Sequence, residues 1–412
     1  MISDGLIVIG RLNYPSGSAP SNRVHLYCKA LKEAKGFPFV INLHSTFTQP
    51  QTFNYLDRYE GVPFYYCQKT PLRKSKFIPR NISKIEGLIS SFIVIRRLCR
   101  KYNMKVLFFS TSVFNEVTFF IFLKLMNIPI IKECNEAPLF VRQEKKSIGI
   151  DRFFLKLKTK MYGEIIVISD NLNKYYSEIF PKSNIYQIPI LVDMERFSNL
   201  RNTRSDDNKE ITYVGYMGGN KDGLGNLIEA MSIISQKANN ARLNLVGSAP
   251  EKDILRLKSR IEALALRDVV HFLGSKTPDE IPLILANADL LVLARPNNNQ
   301  AKAGFPTKLG EYLASAKPVV ITRTGEIPKY LVDNRSAYLT EPDDVNGFAE
   351  KVLFALEDEN AEKIGAAGYE IANRNFNYKL YGKELIQIIR KKGSKKYKQN
   401  PIQSHINRNK LV

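Results

Sequence analysis

The feature that most constrains this chain is a regular alternation of short apolar runs with longer helical patterns along its 412 residues. Runs of four or five apolar residues are predicted β-strands, and strands that alternate with helices are typical of parallel, doubly wound sheets. The sequence therefore predicts an α/β protein. The predicted strands are 6–9, 39–43, 63–67, 106–109, 128–132, 165–169, 186–190, 211–214, 243–246, 269–273, 290–294, 318–322 and 337–340.

A polar segment divides this alternation into two parts. One hydrophobic core rarely grows beyond about 250–300 residues, so two domains are expected. We predict Rossmann-like domains over residues 1–197 and 209–378, joined by a linker and hinge at 198–208, with a basic tail at 393–412. The two domains should face each other across a cleft, with ligands at the carboxyl ends of the strands.

The clearest helical pattern covers residues 81–103. Its apolar side chains recur at spacings of three and four, as they do along one face of an amphipathic helix. We therefore predict one long helix here. The side chains that form the pattern are Ile82, Ile85, Ile89, Phe92, Ile95, Cys99 and Tyr102.

Positive charge is concentrated in the first domain. The chain has a net charge of +21, and residues 1–198 contain 29 basic and 15 acidic residues. Such an excess predicts an anionic partner, which is a nucleic acid, an acidic membrane surface or a phosphorylated substrate. Basic residues cluster at 72–77, 96–101 and 153–160, and these clusters either hold the protein on an anionic bilayer or form a solvated basic face.

Several features favour a cytoplasmic protein, peripheral on the inner face of the membrane. The four cysteines form no C-x-x-C pair, which is typical of reduced thiols. Asp4 occupies a position where a secretory signal needs positive charge. The longest apolar runs are shorter than the roughly 18–20 residues that a membrane span needs.

The segment after the predicted strand 290–294 has the pattern of an anion-binding turn. Gly304 precedes Pro306, which is favourable in the first turn of a helix. The free amides and dipole of such a helix attract anions. Glu311 lies one turn further on and could hold two vicinal hydroxyls, such as those of a ribose. The alternative interpretation is an ordinary α/β turn without a ligand.

The same segment carries a resemblance. Residues 304–314, GFPTKLGEYLA, followed by KPVV at 317–320, are similar to the donor-binding signature of glycosyltransferase family 4. Further segments resemble that family in the same order: VDMERF at 192–197, YVG at 213–215 with KDG at 221–223, LVGS at 245–248, and FLG at 272–274. The resemblance implies the GT-B fold and a retaining, metal-independent transfer from a nucleotide-diphosphate sugar. It also implies a last helix, 379–392, that crosses back to the first domain.

The resemblance assigns the donor site residue by residue. Lys221 would bind the diphosphate, the backbone from Phe305 to Lys308 would hold the distal phosphate, and Glu311 would bind the ribose. Lys221 and Glu311 are thereby catalytic candidates. The remaining predicted donor-binding residues are Gly17, Ser18, Gly215, Gly247, Gly304, Pro306 and Thr307.

The chain departs from the family pattern at two positions. The first glutamate of the family's Glu-x7-Glu pair is replaced by Ala303, and an arginine that usually follows the V-G dipeptide is replaced by Tyr216. The second change removes one of two cations expected on the diphosphate. Arg295, Lys302 and Lys308 are the candidates to replace it.

The acceptor is expected on the first domain. Glu133, Asn135 and Glu136 follow the predicted strand 128–132, and either glutamate could orient the acceptor hydroxyl or accept its proton, with Glu136 as the catalytic candidate. The alternative is helix capping or ion pairing with basic residues of 142–146. His44, which follows another strand, is a further acceptor-side candidate.

The resemblance implies an enzyme without a metal or other cofactor, and the sequence contains no D-x-D motif that would hold Mg²⁺ against a diphosphate. The predicted donor is a UDP- or GDP-sugar and the acceptor is a saccharide or a lipid-linked saccharide. A nucleic-acid-binding protein and a nicotinamide-dependent enzyme are the rival classes. The first lacks a recognisable nucleic-acid motif and the second lacks a G-x-G-x-x-G turn.

Overall fold

The computed structural model describes residues 3–15, 18–109, 112–136, 158, 161–198, 200 and 207–391. Within these ranges the chain forms two mostly parallel sheets, each covered by helices on both faces. The predicted tail, most of the predicted linker and most of the basic cluster at 153–160 lie outside the described residues.

In the part of the chain that the structure describes, the first sheet has eight strands in the order β3-β4-β2-β1-β5-β6-β7-β8, and only β3 runs antiparallel to its neighbour. Its central strands are buried along nearly their whole length, as expected for a sheet covered on both faces. The strands are β1 (Asp4–Gly10), β2 (Phe37–Asn42), β3 (Leu56–Tyr59), β4 (Val62–Tyr66), β5 (Asn103–Phe108), β6 (Ile130–Cys134), β7 (Glu164–Val167) and β8 (Asn184–Gln187).

Between β1 and β8, the described residues form four helices that cover this sheet: α1 (Ala19–Glu33), α2 (Phe77–Lys101), α3 (Val113–Leu125) and α4 (Asp170–Ile179). Serine hydroxyls accept backbone amide hydrogen bonds at the amino ends of α1, α3 and α4, as favoured N-cap residues do. Helix α1 packs on one face of the sheet, whereas α2, α3 and α4 pack on the other.

Helix α2 is present where the long pattern predicted a helix, but its orientation differs from a simple amphipathic helix. Its buried side chains are Ser83, Gly87, Ser91 and Ile95. The isoleucines at 82, 85 and 89 are more than half exposed, at 52%, 63% and 56%. The apolar residues of the pattern therefore lie on two sides of the helix. Ile95 faces the core, whereas most of the other isoleucines point to solvent.

The second sheet has six parallel strands in the order β11-β10-β9-β12-β13-β14. A short 3-10 helix, Met194–Phe197, precedes it. Its strands are β9 (Lys209–Val214), β10 (Ala241–Val246), β11 (Val270–Gly274), β12 (Leu290–Leu293), β13 (Val319–Thr322) and β14 (Tyr338–Thr340).

The second sheet is covered by eight helices in the described residues, some of them only one turn long. Their caps include the side chains of Asn298 and Asp344. They are α5 (Leu224–Lys237), α6 (Glu251–Ala263), α7 (Ile281–Ala286), α8 (Asn299–Ala303), α9 (Thr307–Ala314), α10 (Ile327–Tyr330), α11 (Val345–Glu357) and α12 (Ala361–Asn375).

The chain then returns to the first domain. A 3-10 helix, Tyr378–Tyr381, and helix α13 (Gly382–Arg390) lie against α1. The Tyr378 hydroxyl donates to the Glu33 carboxylate, and a Cβ at Gly382 would lie only 2.3 Å from the Ala30 carbonyl oxygen. Glycine at this position therefore lets the two helices approach closely.

Two further features concern the chain as a whole. The four cysteines are free, and all but Cys99 are buried. No helix among the described residues is long and apolar enough to cross a membrane.

Candidate active site

The carboxyl ends of strands from both sheets meet in one region. The Ser169 hydroxyl, after β7, donates to the Ala303 carbonyl over 2.6 Å, and the Asp170 amide donates to Oε1 of Glu326 over 2.9 Å. Lys221, after β9, pairs with Glu136, after β6, at 2.9 Å. The loops that bring these residues together define the cleft, which is the usual ligand position in open α/β sheets.

Helix α9 begins at this cleft. Pro306 is its N-cap residue, and no side chain among the described residues caps its first amides. The ring of Phe305 is buried and stacks on Tyr330 with 5.4 Å between the ring centres. The segment from Gly304 to Thr307 therefore presents backbone rather than a large side chain, and the uncapped amides are available to an anion.

The Lys308 side chain turns back into the second domain. Its Nζ donates to the Tyr213 hydroxyl over 2.7 Å and to the carboxylate of Asp222. Burial opposes ionisation of Asp222, but Lys308, together with Arg295 and Tyr213, holds the pKa of this carboxyl below its ordinary value. Lys308 is thus occupied by Asp222 and is not free to replace the missing diphosphate cation.

Two predicted donor-site glycines allow close backbone packing here. A Cβ at Gly215 would lie 2.0 Å from the Lys308 Nζ. A Cβ at Gly247 would lie 1.8 Å from the Gly215 carbonyl oxygen. Any larger residue at either position would displace the backbone or the ammonium, so both glycines shape the floor of the cleft.

Arg295, directly after β12, is the most unusual residue of the site. Its side chain is fully buried, yet Nε, Nη1 and Nη2 have no hydrogen-bond partner among the described residues. Buried charges in proteins are normally paired. Its Nη2 would lie 3.9 Å from a Cβ at Gly304, so the guanidinium lies beside the segment that leads into α9.

Electrostatic effects show that the cations of this region are mutually close. Burial lowers the pKa of Lys308, and the charges of Lys221 and Arg295 lower it further against the opposing effect of Asp222. Burial also lowers the pKa of Arg295, opposed by Asp222 and Glu136. Three cations thus share this region with two carboxylates, and the excess positive charge suits an anionic ligand.

Glu311 lies on α9 with its side chain 21% exposed. Its Oε1 accepts a hydrogen bond from Nη1 of Arg196 over 3.1 Å, and Arg196 also donates to the Pro278 carbonyl. Burial raises the pKa of Glu311, opposed by Arg196. Arg196 was part of the recognised VDMERF segment, but its role required the structure because the partner is 115 residues away.

The two glutamates after β6 have different surroundings. Glu133 is buried, and its Oε1 accepts hydrogen bonds from Nε of Arg23 and from the Tyr27 hydroxyl, both over 2.9 Å. Arg23 also binds the Ile188 and Pro189 carbonyls. Glu133 therefore belongs to a structural network against α1, and the structure does not support its predicted contact with an acceptor. The proposed basic partners at 142–146 lie outside the described residues.

Glu136 remains beside the cleft, with 41% of its side chain exposed and the Lys221 ammonium 2.9 Å away. Asn135, between the two glutamates, is partly buried, and its Oδ1 has no hydrogen-bond partner among the described residues. Of the two glutamates described after β6, Glu136 is thus the one that a substrate can reach.

His44 follows β2 and is half-buried. Its Nε2 lies 3.3 Å from Nδ2 of the Asn115 side chain at the start of α3. Burial lowers the pKa of the imidazole ring, and the charges of Arg11 and Lys84 lower it further. The imidazole is therefore neutral at physiological pH.

Ser18 serves as the N-cap of α1, with its Oγ 3.3 Å from the Ser21 amide nitrogen. Gly17 lies outside the described residues. The two positions that depart from the family pattern are also described. Tyr216 is 58% exposed at the rim of the cleft, and the Ala303 carbonyl accepts a hydrogen bond from the Ser169 hydroxyl. The described part of the chain contains no group of three or more His, Cys, Asp or Glu side chains arranged to hold a metal ion.

The amino-acid sequence of the second domain matches a known family. Residues 208–358 match the family model described as glycosyl transferases group 1. Over 212 residues the chain is 26% identical to the putative colanic acid biosynthesis glycosyltransferase WcaL of Escherichia coli K12, a match that covers 51% of this chain and 52% of that protein. The chain thus spans about half the length of the curated relatives it matches.

Solved structures match over nearly the whole chain. Sucrose-phosphate synthase from Thermosynechococcus elongatus superposes with a TM-score of 0.72 at 17% identity, covering 94% of this chain and 98% of that one. Alr3699/HepE from Anabaena, solved in complex with UDP and glucose, superposes with a TM-score of 0.66 at 15% identity, covering 94% and 99%. These likenesses confirm the predicted fold class, GT-B, with two Rossmann-like domains.

Proposed function

Because residues 208–358 are a glycosyl transferases group 1 domain within a GT-B fold, we propose that this chain is a glycosyltransferase. It transfers a sugar from a nucleotide-diphosphate sugar to a saccharide or lipid-linked saccharide in the synthesis of a surface polysaccharide. The named role of the relative WcaL in colanic acid biosynthesis supports this acceptor class. We further propose retention of configuration and no requirement for a metal.

The observation that carries the proposal is Arg295. A buried guanidinium without a partner is costly in the free protein and is expected only where a ligand pairs with it. The uncapped amides of α9 and the ammonium of Lys221 lie in the same region. We propose that the donor diphosphate binds to these three groups and that Arg295 replaces the cation lost at Tyr216.

The proposed chemistry follows from these positions. The bond between the anomeric carbon and the diphosphate oxygen breaks, and the electron pair stays on the leaving diphosphate. Arg295, Lys221 and the α9 dipole stabilise this developing charge without reorganisation. The acceptor hydroxyl oxygen bonds to the anomeric carbon on the same face. Glu136 accepts the proton of this hydroxyl, or orients the hydroxyl while an oxygen of the leaving diphosphate takes the proton, and neutral His44 lies on the same side of the cleft.

The nucleoside is proposed to bind at Glu311. The carboxylate would accept hydrogen bonds from the two ribose hydroxyls while Arg196 holds it in place. UDP in the solved HepE complex supports a uracil base, and a guanine base is the alternative. The site is proposed to operate in the cytoplasm, at the inner face of the membrane.

A binding panel tests the donor assignment. UDP, GDP and their sugars are added to the protein with EDTA present, and thermal unfolding is recorded. We expect a rise in the unfolding midpoint for one base only. Binding of a short DNA duplex with a steep salt dependence, and no response to any nucleotide, would instead support the rival nucleic-acid class.

A second measurement tests the roles of the residues. Lys221→Ala and Glu311→Ala should each reduce transfer of labelled sugar at least about hundredfold while the fold persists. Glu311→Ala should weaken UDP binding more than 2′-deoxy-UDP binding, because only UDP retains both ribose hydroxyls. Sugar transfer at the wild-type rate in both variants would refute the proposed roles of Lys221 and Glu311.

A further inference from the structure

Helix α2 exposes a continuous apolar stripe to solvent. Ile78, Ile82, Ile85, Ile89 and Ile93 are 47–69% exposed, and their spacings of four, three, four and four place them on one helix face. Large apolar side chains scattered singly on a surface are ordinary, but a contiguous set marks an interaction site. This stripe therefore requires a partner.

The opposite face of α2 explains why the isoleucines point outward. Ser83, Gly87 and Ser91 face the sheet, and a Cβ at Gly87 would already lie 3.3 Å from Cβ of Cys67. The two serine hydroxyls donate to carbonyls of the helix itself, Ser83 to Arg80 and Ser91 to Leu88. The close packing leaves no room for isoleucine on this face, so the orientation of α2 is fixed.

A second apolar stripe lies on the neighbouring helix. In α3, Phe114, Ile121 and Leu125 are 71%, 54% and 82% exposed. The two helices touch through Phe92 and Phe122, whose stacked rings have centres 4.1 Å apart. The two stripes together form what we call the α2–α3 surface.

The charge around the α2–α3 surface has one sign. Between Arg73 and Lys101 the sequence has nine basic residues and a single acidic one, Glu86. Arg73, Lys74 and Lys76 precede the isoleucine stripe, whereas Arg96 and Arg100 continue it by about two further turns on the same face. The apolar stripe thus has exposed cations at both ends.

We propose that the α2–α3 surface docks this protein on an anionic lipid bilayer. Helices with an apolar face and flanking lysine and arginine residues lie in the membrane interface, with apolar side chains at the acyl boundary and cations at the headgroups. The cations at both ends favour an anionic bilayer over a second copy of this chain, because two such surfaces face to face would repel each other. The described helices that carry the surface are not membrane-spanning.

The position of the surface agrees with the proposed acceptor. Helices α2 and α3 follow β4 and β5, so both begin at the carboxyl edge of the first sheet, where Glu136 also lies. Docking would bring the mouth of the cleft close to the headgroups. This consequence for a lipid-linked acceptor rests on the proposed function, whereas the docking itself does not.

Vesicle co-sedimentation tests the proposal. The full chain should bind vesicles of phosphatidylcholine with 30% phosphatidylglycerol at least about tenfold more tightly than pure phosphatidylcholine vesicles. The triple variant Ile82→Ser, Ile85→Ser, Ile89→Ser should lose binding at least about hundredfold. The matched control, Leu255→Ser with Phe354→Ser, removes exposed apolar residues of the second domain and should bind as the wild type does.

Fluorescence gives an independent readout because the chain contains no tryptophan. The emission of Ile85→Trp should shift to the blue when anionic vesicles are added, whereas that of Leu255→Trp should not. Equal shifts, unchanged binding of the triple variant, or a dimer that the triple variant dissociates without any vesicle binding would each overturn the proposal. UDP binding in the same variants reports on the proposed function separately.

Discussion

Nζ of Lys221 lies 2.9 Å from Oε1 of Glu136, so an ion pair joins the loop after β9 in the second domain to the end of β6 in the first. Both side chains are more than 40% exposed, and ion pairs of this kind contribute at most about 1 kcal/mol. A diphosphate can therefore displace the Glu136 carboxylate from Lys221 at little cost. In the free protein Glu136 is thus paired with the Lys221 ammonium, to which the donor diphosphate is proposed to bind.

This relationship predicts opposite effects on binding and on turnover. Glu136→Gln should strengthen UDP binding about two- to fivefold, because the competing carboxylate is removed from Lys221. Transfer of labelled sugar should fall at least about tenfold, because the acceptor hydroxyl loses its carboxylate. Calorimetry and a transfer assay measure the two effects. Glu262→Gln, which breaks the exposed pair with Arg267, is the matched control and should change neither. Unchanged or weaker UDP binding in Glu136→Gln would show that the diphosphate does not displace the Glu136 carboxylate from Lys221.

Replacing Arg295 by an apolar residue should make the protein more stable while abolishing its proposed function. Arg295→Met removes a buried charge without a hydrogen-bond partner among the described residues and keeps much of its volume. We expect an increase of about 1–3 kcal/mol in the free energy of unfolding, together with a loss of UDP affinity of at least about hundredfold. Denaturant unfolding and calorimetry check these values.

The control for Arg295 is an arginine with ordinary partners. Arg323 is partly exposed and pairs with Asp333 and Glu341, so Arg323→Met should lower stability by about 1 kcal/mol or less and leave UDP binding unchanged. A strongly destabilised Arg295→Met protein that still binds UDP would show that Arg295 has a structural role instead.

Glu133 should behave as a structural residue although it is only three positions from Glu136. Glu133→Gln leaves the buried Arg23 guanidinium without its carboxylate, so the free energy of unfolding should fall by about 3–5 kcal/mol. UDP binding at temperatures where the protein remains folded should be unchanged. Loss of transfer activity with wild-type stability would instead restore Glu133 as an acceptor-side residue.

The sequence was sufficient to predict the strands that are buried on both faces. Their apolar runs stand out, and the predicted strands lie within about three residues of those observed. Strand β3, Leu56–Tyr59, was missed because it lies at the sheet edge, is largely solvent-accessible and has a mixed polar sequence. In α2 the spacing predicted a helix correctly, but it could not predict that Ser83, Gly87 and Ser91 would take the buried face.

The local structure of the candidate site could be predicted from the sequence where it depends on nearby backbone, and less so where a side chain has a distant partner. The start of α9 follows from Gly304 and Pro306 alone. Lys308 was a reasonable candidate for the diphosphate, yet its charge is occupied by Asp222, which is 86 residues away in the sequence. Arg295 was one of three candidates, and it differs from the other two in being fully buried with no hydrogen-bond partner among the described residues.

The return of α13 to the first domain predicts a pH-dependent stability. Glu384 lies in the first turn of α13, and burial raises its pKa from 4.5 to about 7, opposed by Lys391. A carboxyl whose pKa is higher in the folded state stabilises the fold while it is protonated, and this contribution is lost as the pH rises from about 4.5 through 7. Glu384→Gln should therefore match the wild type at pH 4, below both pKa values. At pH 8 its thermal midpoint should be higher by about 2–8 °C, which corresponds to roughly 1–3 kcal/mol.

Glu370→Gln, on the exposed face of α12, should show the same difference from the wild type at both pH values. A Glu384→Gln difference that is also independent of pH would show that this carboxylate is solvated and that α13 packs less closely on α1.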